Sequence, residues 1–422
     1  MKRSYSLLFV NIGMDPVLLL KTWYISPFTK GVFRKGINQI YIYIPGTSIG
    51  FRTRSGICDW GKQKIILMDM TDKNDEFQEN YKLIADTIRA YPLQIKQAWE
   101  EIKSIYIPEE YQNVENVILC GMGGSALGGR IIDALIQERL RVPFEIYTEY
   151  HVPNYVNEKT LVIASSYSGN TEETINATYE ALNKGAKVFG AVTGGKLAEI
   201  FKENKIPSYV FNPKHNPSDQ PRMGLGYACG IILSLLTKLK LIQVLEEEVE
   251  EAVNKMNELL TEYNENSPSH KNLAFSYAQK LKDKIPVFIA SEHLVGAAYS
   301  IKNQLNENSK TFALLFDIPE LNHHLLEGLI HPAKIRHLIQ FIFIKSDLYS
   351  ERVLKRYPIT QDVMEKNGFD VHVYSPSSEK KLTQVFETLI FGSMTSYYLA
   401  RDYKLNIVEI PWVDYFKEKM SK

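Results

Sequence analysis

The stretch Val117 to Arg130, V-I-L-C-G-M-G-G-S-A-L-G-G-R, constrains this chain more than any other. The apolar run Val117 to Cys120 suits a buried strand and stops at Gly121. A glycine-rich turn carrying Ser125 follows, and Leu127, Ile131, Ile132 and Leu135 then recur on one helix face. Strand, turn and helix start together expose backbone N–H groups at the positive end of a helix dipole, where an anion such as phosphate binds. The glycines let the backbone approach that anion, and Ser125 adds a hydroxyl donor. Gly121-Met122-Gly123-Gly124-Ser125-Ala126 also satisfies the dinucleotide pattern G-x-G-x-x-G/A, with Glu145 placed as a ribose ligand. A tight βα turn with no ligand is the third reading.

The rest of the chain decides among them. Residues 75–106 read as helix divided at Pro92. After the opening strand, turn and helix, strands are predicted at Phe144 to Tyr147, Thr160 to Ala164 and Lys187 to Val192, with a helix reaching about Lys184. An apolar helix, Leu225 to Leu239, and a charged one, Glu246 to Glu262, lead to a polar break at Asn264 to His270. A second series has strands Pro286 to Ala290, Thr311 to Phe316, Leu338 to Ile344 and Asp370 to Tyr374. Its helices lie near His293 to Asn306, Ser350 to Lys366 and Lys381 to Ala400. Alternation at this spacing predicts an α/β fold of two doubly wound parallel sheets, with ligands outside the carboxyl ends of the strands. The expected divisions are residues 1–69, 70–265 and 266–422.

A second turn favours a terminal phosphate over a dinucleotide. Ser166, Ser168, Thr171 and Thr174 gather hydroxyls where a buried strand meets a helix. A terminal phosphate has several oxygens to satisfy and favours converging donors. The competing reading is helix capping, by Ser166 or Ser168 with Glu172 as partner.

The G-M-G-G-S and S-Y-S-G-N-T turns resemble those of sugar isomerase domains, which bind phosphosugars. The ordered set Q-P-R, N-E-N-S-K, P-E-L-N-H-H and V-D-Y-F-K is similar to the bifunctional phosphoglucose/phosphomannose isomerases, over about Met70 to Lys422. The resemblance implies aldose–ketose interconversion of glucose 6-phosphate or mannose 6-phosphate with fructose 6-phosphate through an enediol(ate), without a cofactor. Glu307 matches the base that moves a proton between C1 and C2. His323 matches the ring-opening residue, reaching the site from the other subunit of a homodimer. Arg222 matches the cation that stabilises the enediolate, and Lys417 the lysine near the ring or C1 oxygen. Gly124, through its N–H, and Ser125, Ser166, Ser168 and Thr171 would hold the phosphate. Two positions depart from the family: His324 stands where asparagine is usual, and Asn406 to Trp412 lacks the small Thr linked to mannose tolerance. The glucose reaction is therefore better supported than the mannose one.

Charge and composition exclude other classes. Net charge is zero over 422 residues, which offers no basic field for nucleic acid. Cys58, Cys120 and Cys229 lie far apart, the latter two in apolar runs, as expected of core thiols in a reducing, cytoplasmic compartment. No apolar run is long enough to span a bilayer. His323, His324 and His331 form no H-x-H or H-x-x-x-H pair, so no metal is expected. The alternatives are an NAD-dependent oxidoreductase and a non-enzymatic phosphosugar sensor. The first lacks any other nicotinamide-site signal, and the second lacks a DNA-binding helix pair.

Residues 1–67 stand apart, with ten Lys/Arg against two acids; the first Glu is Glu76. Only Ile37 to Ile44 has strong β-propensity there. A targeting peptide, an extra module and translated sequence upstream of Met68 or Met70 compete. The abrupt change in composition favours the last.

Overall fold

The computed structural model describes residues 70–420, with side chains from Phe77 onward, and before them strand residues 35–36, 39–40, 56–60 and 63–67. Two compact units divide the chain, Met1–Gln78 and Glu79–Lys422. In the first, Lys35–Gly36 pairs with Gln39–Ile40, and Gly56–Trp60 pairs antiparallel with Gln63–Leu67. No strand signal in the sequence marks the second pair. The remainder of the Ile37 to Ile44 run, and the question of a leader or upstream translation, fall outside the described residues.

Two helices come next, α1 (Met70–Arg89), in which the larger unit begins, and α2 (Tyr91–Lys103). They divide at Ala90 with Pro92 in the first turn of α2, where its missing N–H costs no hydrogen bond. The first sheet contains β1 (Asn116–Cys120), β2 (Phe144–Tyr147), β3 (Thr160–Ser166), β4 (Lys187–Val192) and β5 (Ser208–Val210). Its order is β2-β1-β3-β4-β5, and every pairing is parallel. Helices α3 (Gly123–Ile136), α4 (Glu172–Asn183) and α5 (Gly195–Glu203) connect the strands. All seven residues of β3 are buried, as a central parallel strand covered on both faces requires.

After α6 (Leu225–Lys238), α7 (Glu246–Glu262) and α8 (Leu273–Leu281) comes the second sheet. Its strands are β6 (Ile285–Ala290), β7 (Leu314–Asp317), β8 (Ile339–Ile344) and β9 (Asp370–Tyr374), in the order β7-β6-β8-β9, again all parallel. Its helices are α9 (Val295–Asn308), α10 (Glu351–Lys366) and α11 (Lys381–Asp402), and α12 (Pro411–Met420) ends the chain. The two parallel sheets bear out the predicted fold class.

Several boundaries differ from expectation. Strand β7 starts at Leu314 instead of Thr311, because the intervening residues finish α9. Thr311 donates its N–H to Leu305 O at 3.0 Å, and Ala313 N–H donates to Asn306 Oδ1 at 3.0 Å. The sequence reading lacks the short elements α5, β5 and α8, of nine, three and nine residues. Asn272 caps α8, its Oδ1 accepting the Phe275 N–H at 2.9 Å.

Helix α3 packs on α6 and on α9, and α9 on α11, which is buried from Leu382 through Ala400. The α3–α9 contact is backbone against backbone: a Cβ on Gly296 would lie 2.3 Å from Arg130 O and 2.5 Å from Ile131 Cα. Gly296→Ala is therefore expected to separate the helices and destabilise the fold by about 1–3 kcal/mol, read as a lower Tm. Gly328→Ala, facing open space, serves as the control and should leave Tm unchanged.

Candidate active site

Strands β1 and β3 are neighbours, with Cys120 opposite Ala164, so their following turns emerge side by side. In the order 2-1-3-4-5 this is the switch point where a ligand crevice opens. Ser125 Oγ accepts the Tyr167 N–H at 3.1 Å and joins the two turns. Ser166 Oγ lies 2.8 Å from Thr171 Oγ1 and accepts the Gly169 N–H at 3.1 Å; Ser168 Oγ accepts the Asn170 N–H at 3.3 Å. Ser166 is buried, Ser125 and Thr171 are half-buried, and Ser168 is exposed. The capping reading is corrected: Thr171 is the N-cap of α4, without a side-chain cap bond, while Ser166 and Ser168 brace the turn.

Gly124 lies in the first turn of α3, where backbone N–H groups have no partner within the helix. A Cβ there would sit 3.0 Å from Pro221 O and 3.2 Å from Arg222 Cα, so glycine is what lets the Q-P-R turn close against this amide. The dinucleotide reading fails on register. Glu145 is exposed on β2 opposite Ile118, three residues short of the turn at Gly121, whereas a ribose ligand belongs at the carboxyl end of its strand.

The Q-P-R turn leads to a second group of residues. Arg222 is 6 % exposed. Its Nε donates to Asn308 Oδ1 at 3.1 Å and Nη1 to Gln220 Oε1 at 2.8 Å. Nη2 donates to the carbonyls of Ile407 and Val408 at 2.9 and 2.8 Å. Four of its five N–H groups are thereby fixed.

Glu307 sits in the last turn of α9, beside Asn308. Burial raises its carboxyl above the usual carboxylate range, while Arg222, Lys310 and Lys417 oppose that shift with their positive charge. Lys310 donates to Glu307 O and Glu409 O, each at 2.6 Å. Lys310 is exposed along its side chain, yet partial desolvation of its ammonium and the Arg222 guanidinium bring it down to about 8. Lys417 is exposed on α12.

The structure thus gathers Arg222, Glu307 and Lys417, and separately the two hydroxyl turns, with Gly124 against Arg222 as the link. His323 is not brought to them within this chain. It is exposed at the end of the short turn Glu320–His323 and has no hydrogen-bond or ion-pair partner among the described residues. Its neighbour Asn322 anchors that turn, donating to Thr360 Oγ1 at 2.8 Å and accepting from Arg356 at 3.2 Å. His324 lies 6.3 Å from Phe316, ring to ring. Among the described residues no group of three His, Cys, Asp or Glu could hold a metal, and no helix is long and apolar enough to cross a membrane. Cys120 and Cys229 are free and buried; the side chain of Cys58 lies outside the described residues.

Sequence reasoning missed Gln220, Asn308 and Lys310, although each lies inside a motif that signalled the site. Arg222→Met should leave Asn308 Oδ1 and two carbonyls unmatched, lowering stability by about 2–4 kcal/mol in urea unfolding. Arg222→Lys, which cannot reproduce the fork, should recover only part of that loss.

Residues 110–238 match the SIS domain family, and residues 270–420 match the bacterial phospho-glucose isomerase C-terminal SIS domain. A bifunctional phosphoglucose/phosphomannose isomerase of Caldicellulosiruptor bescii is 32% identical over 343 residues, covering 80% of this chain and 98% of that protein. Its namesake from Thermoplasma acidophilum is 31% identical over 308 residues, covering 72% and 90%. A hypothetical protein of Thermus thermophilus shares the fold, with a TM-score of 0.63 at 16% identity over 83% of this chain and 95% of its own. The chain belongs to the bifunctional phosphoglucose/phosphomannose isomerase family.

Proposed function

We propose that this isomerase interconverts glucose 6-phosphate, and less readily mannose 6-phosphate, with fructose 6-phosphate. The observation that carries the reading is Glu307, a carboxylate half-buried at a helix end and faced by Arg222, Lys310 and Lys417. Such a group can take the proton from C2 of the open aldose and return it to C1. The cations then stabilise the negative oxygen of the enediolate between the two steps. Gly124 N–H and the hydroxyls of Ser125, Ser168 and Thr171 would hold the phosphate, with Ser166 shaping their turn. The proposed route uses no cofactor or metal.

Ring opening is assigned to His323 of the partner subunit in a cytoplasmic homodimer. Two features support this assignment: His323 is exposed and without a partner among the described residues, and large apolar side chains stand exposed nearby in the chain and on α12. They include Phe312 at 66 %, Ile330 at 51 %, Trp412 at 82 % and Phe416 at 62 %. We propose residues 70–265 and 266–422 as the two sugar isomerase domains, and residues 1–69 as dispensable. Deletion of 1–69 is expected to leave Tm and turnover unchanged.

Glu307→Gln is expected to lower kcat by roughly 10²–10⁴-fold while phosphosugar binding survives. Retained turnover would place the base elsewhere, and a wild-type protein that binds without turnover would be a sensor. The acid limb of kcat/KM should lie above the ordinary Glu value of 4.5, because the base must be ionised and burial favours its protonated form. The same sign holds for stability. A raised carboxyl pKa favours folding at low pH, and that contribution is lost as pH rises through the folded value. Glu307→Gln should therefore melt at or above the wild-type temperature at pH 7.

A further inference from the structure

We propose that Lys310 is a positioning residue: its ammonium ties the end of α9 to the segment before α12, so that Lys417 is presented to Glu307. The proposal rests on the functional reading above. Between Leu405 and Ile410 the chain is neither helix nor strand, and its carbonyls take side-chain donors instead. Tyr81 Oη donates to Leu405 O at 2.7 Å, and Arg222 takes Ile407 O and Val408 O. Lys310 makes the last of these contacts, at Glu409, immediately ahead of α12. Its other bond is to the carbonyl of Glu307 itself.

Lys310 has φ +53°, just past the end of α9, where glycine or asparagine is the unstrained choice. Lys205, Lys240 and Lys404 take the same conformation just past other helix ends, so it is the two side-chain bonds of Lys310 that set it apart. The charged groups facing its ammonium are Glu307 on its own helix, Arg222 from the turn before α6, and Glu409 on the segment it holds. A neutral amine is a weaker donor than an ammonium, and partial desolvation brings this one down to about 8. The tether therefore weakens as pH rises past that value.

The test uses the full chain with fructose 6-phosphate. Lys310→Met and Lys310→Gly are each expected to lower kcat about tenfold with KM within about twofold, and Lys310→Met should lack the wild-type alkaline limb near 8. Lys310→Gly, which relieves the backbone, should melt at or above wild type. In a Lys417→Met background, Lys310→Met should cost no more than about twofold further, since both changes remove one interaction. Unchanged kcat in both single variants, or the full tenfold loss persisting without Lys417, would overturn the proposal. Trypsin cleavage after Lys417, followed by mass spectrometry without substrate, should run about fivefold faster in Lys310→Met; equal rates would also overturn it. This last comparison still decides the tether if the wild-type protein isomerises no phosphosugar, an outcome that would defeat only the functional reading.

Discussion

The carbonyls of Leu405, Ile407, Val408 and Glu409 have no ladder or helix to join, and the site depends on how they are met. Tyr81, Arg222 and Lys310 supply the donors from three separate parts of the sequence. Leaving the buried or half-buried carbonyls at 405, 407 and 408 without partners would be costly, which favours this path for the segment, and the exposed Lys310–Glu409 bond adds to it. That path delivers α12, and with it Asp414 and Lys417, to the neighbourhood of Arg222 and Glu307. Two of the charges expected to serve chemistry thus also organise backbone. Arg222 can do both because its guanidinium is a fork: four N–H groups are committed, and one of the five remains.

The hydroxyl turns follow a similar logic on a smaller scale. A strand-to-helix turn needs its amides satisfied, and Ser125, Ser166 and Ser168 accept three of them. Each hydroxyl oxygen accepts from the protein and keeps a proton to donate, so bracing a turn and offering donors to an anion are compatible. Ser166 spends its reach on Thr171 and lies buried, which makes it the brace. Ser168 and Thr171 stay within reach of solvent.

Much of this was legible in the sequence because it is local. Val117 to Cys120, Gly121 to Ser125 and the α3 period specify strand, turn and helix within twenty residues, and parallel topology then brings the β1 and β3 turns together. The exceptions are places where a residue answers to a distant partner. Thr311 to Ala313 read as strand but close α9 instead. The hydrogen bonds that hold Arg222 were not legible because its four acceptors lie on its own turn, at Asn308 and at 407–408, and no window of sequence contains them all. Lys310 was passed over for the same reason: Glu409 is 99 positions away. The Glu145 reading failed because spacing in sequence does not say which end of a strand a residue occupies.

The two sheets share a topology over their common strands, yet the matching turn of the second sheet is closed by a carboxylate. In the second sheet β6 and β8 pair as β1 and β3 do, so the turn after β6 faces the N-terminus of α10. Where the first sheet has Gly124 and Ser125, the second has Glu292, held at φ +44°. Its two carboxylate oxygens accept the Ser350 N–H at 3.0 and 3.2 Å, beside the first turn of α10. A helix N-terminus already holding a negative side chain repels a second anion, and the strained backbone at Glu292 is kept by that contact. Nearby, Glu387 accepts from both the N–H and the hydroxyl of Ser377 and of Ser378, so a second set of donors is also met from within. The duplicated architecture therefore divides its work. The first half carries the hydroxyl turns proposed for the phosphate, and the second satisfies its donors from within and carries Glu307, the proposed base, at the far end of α9.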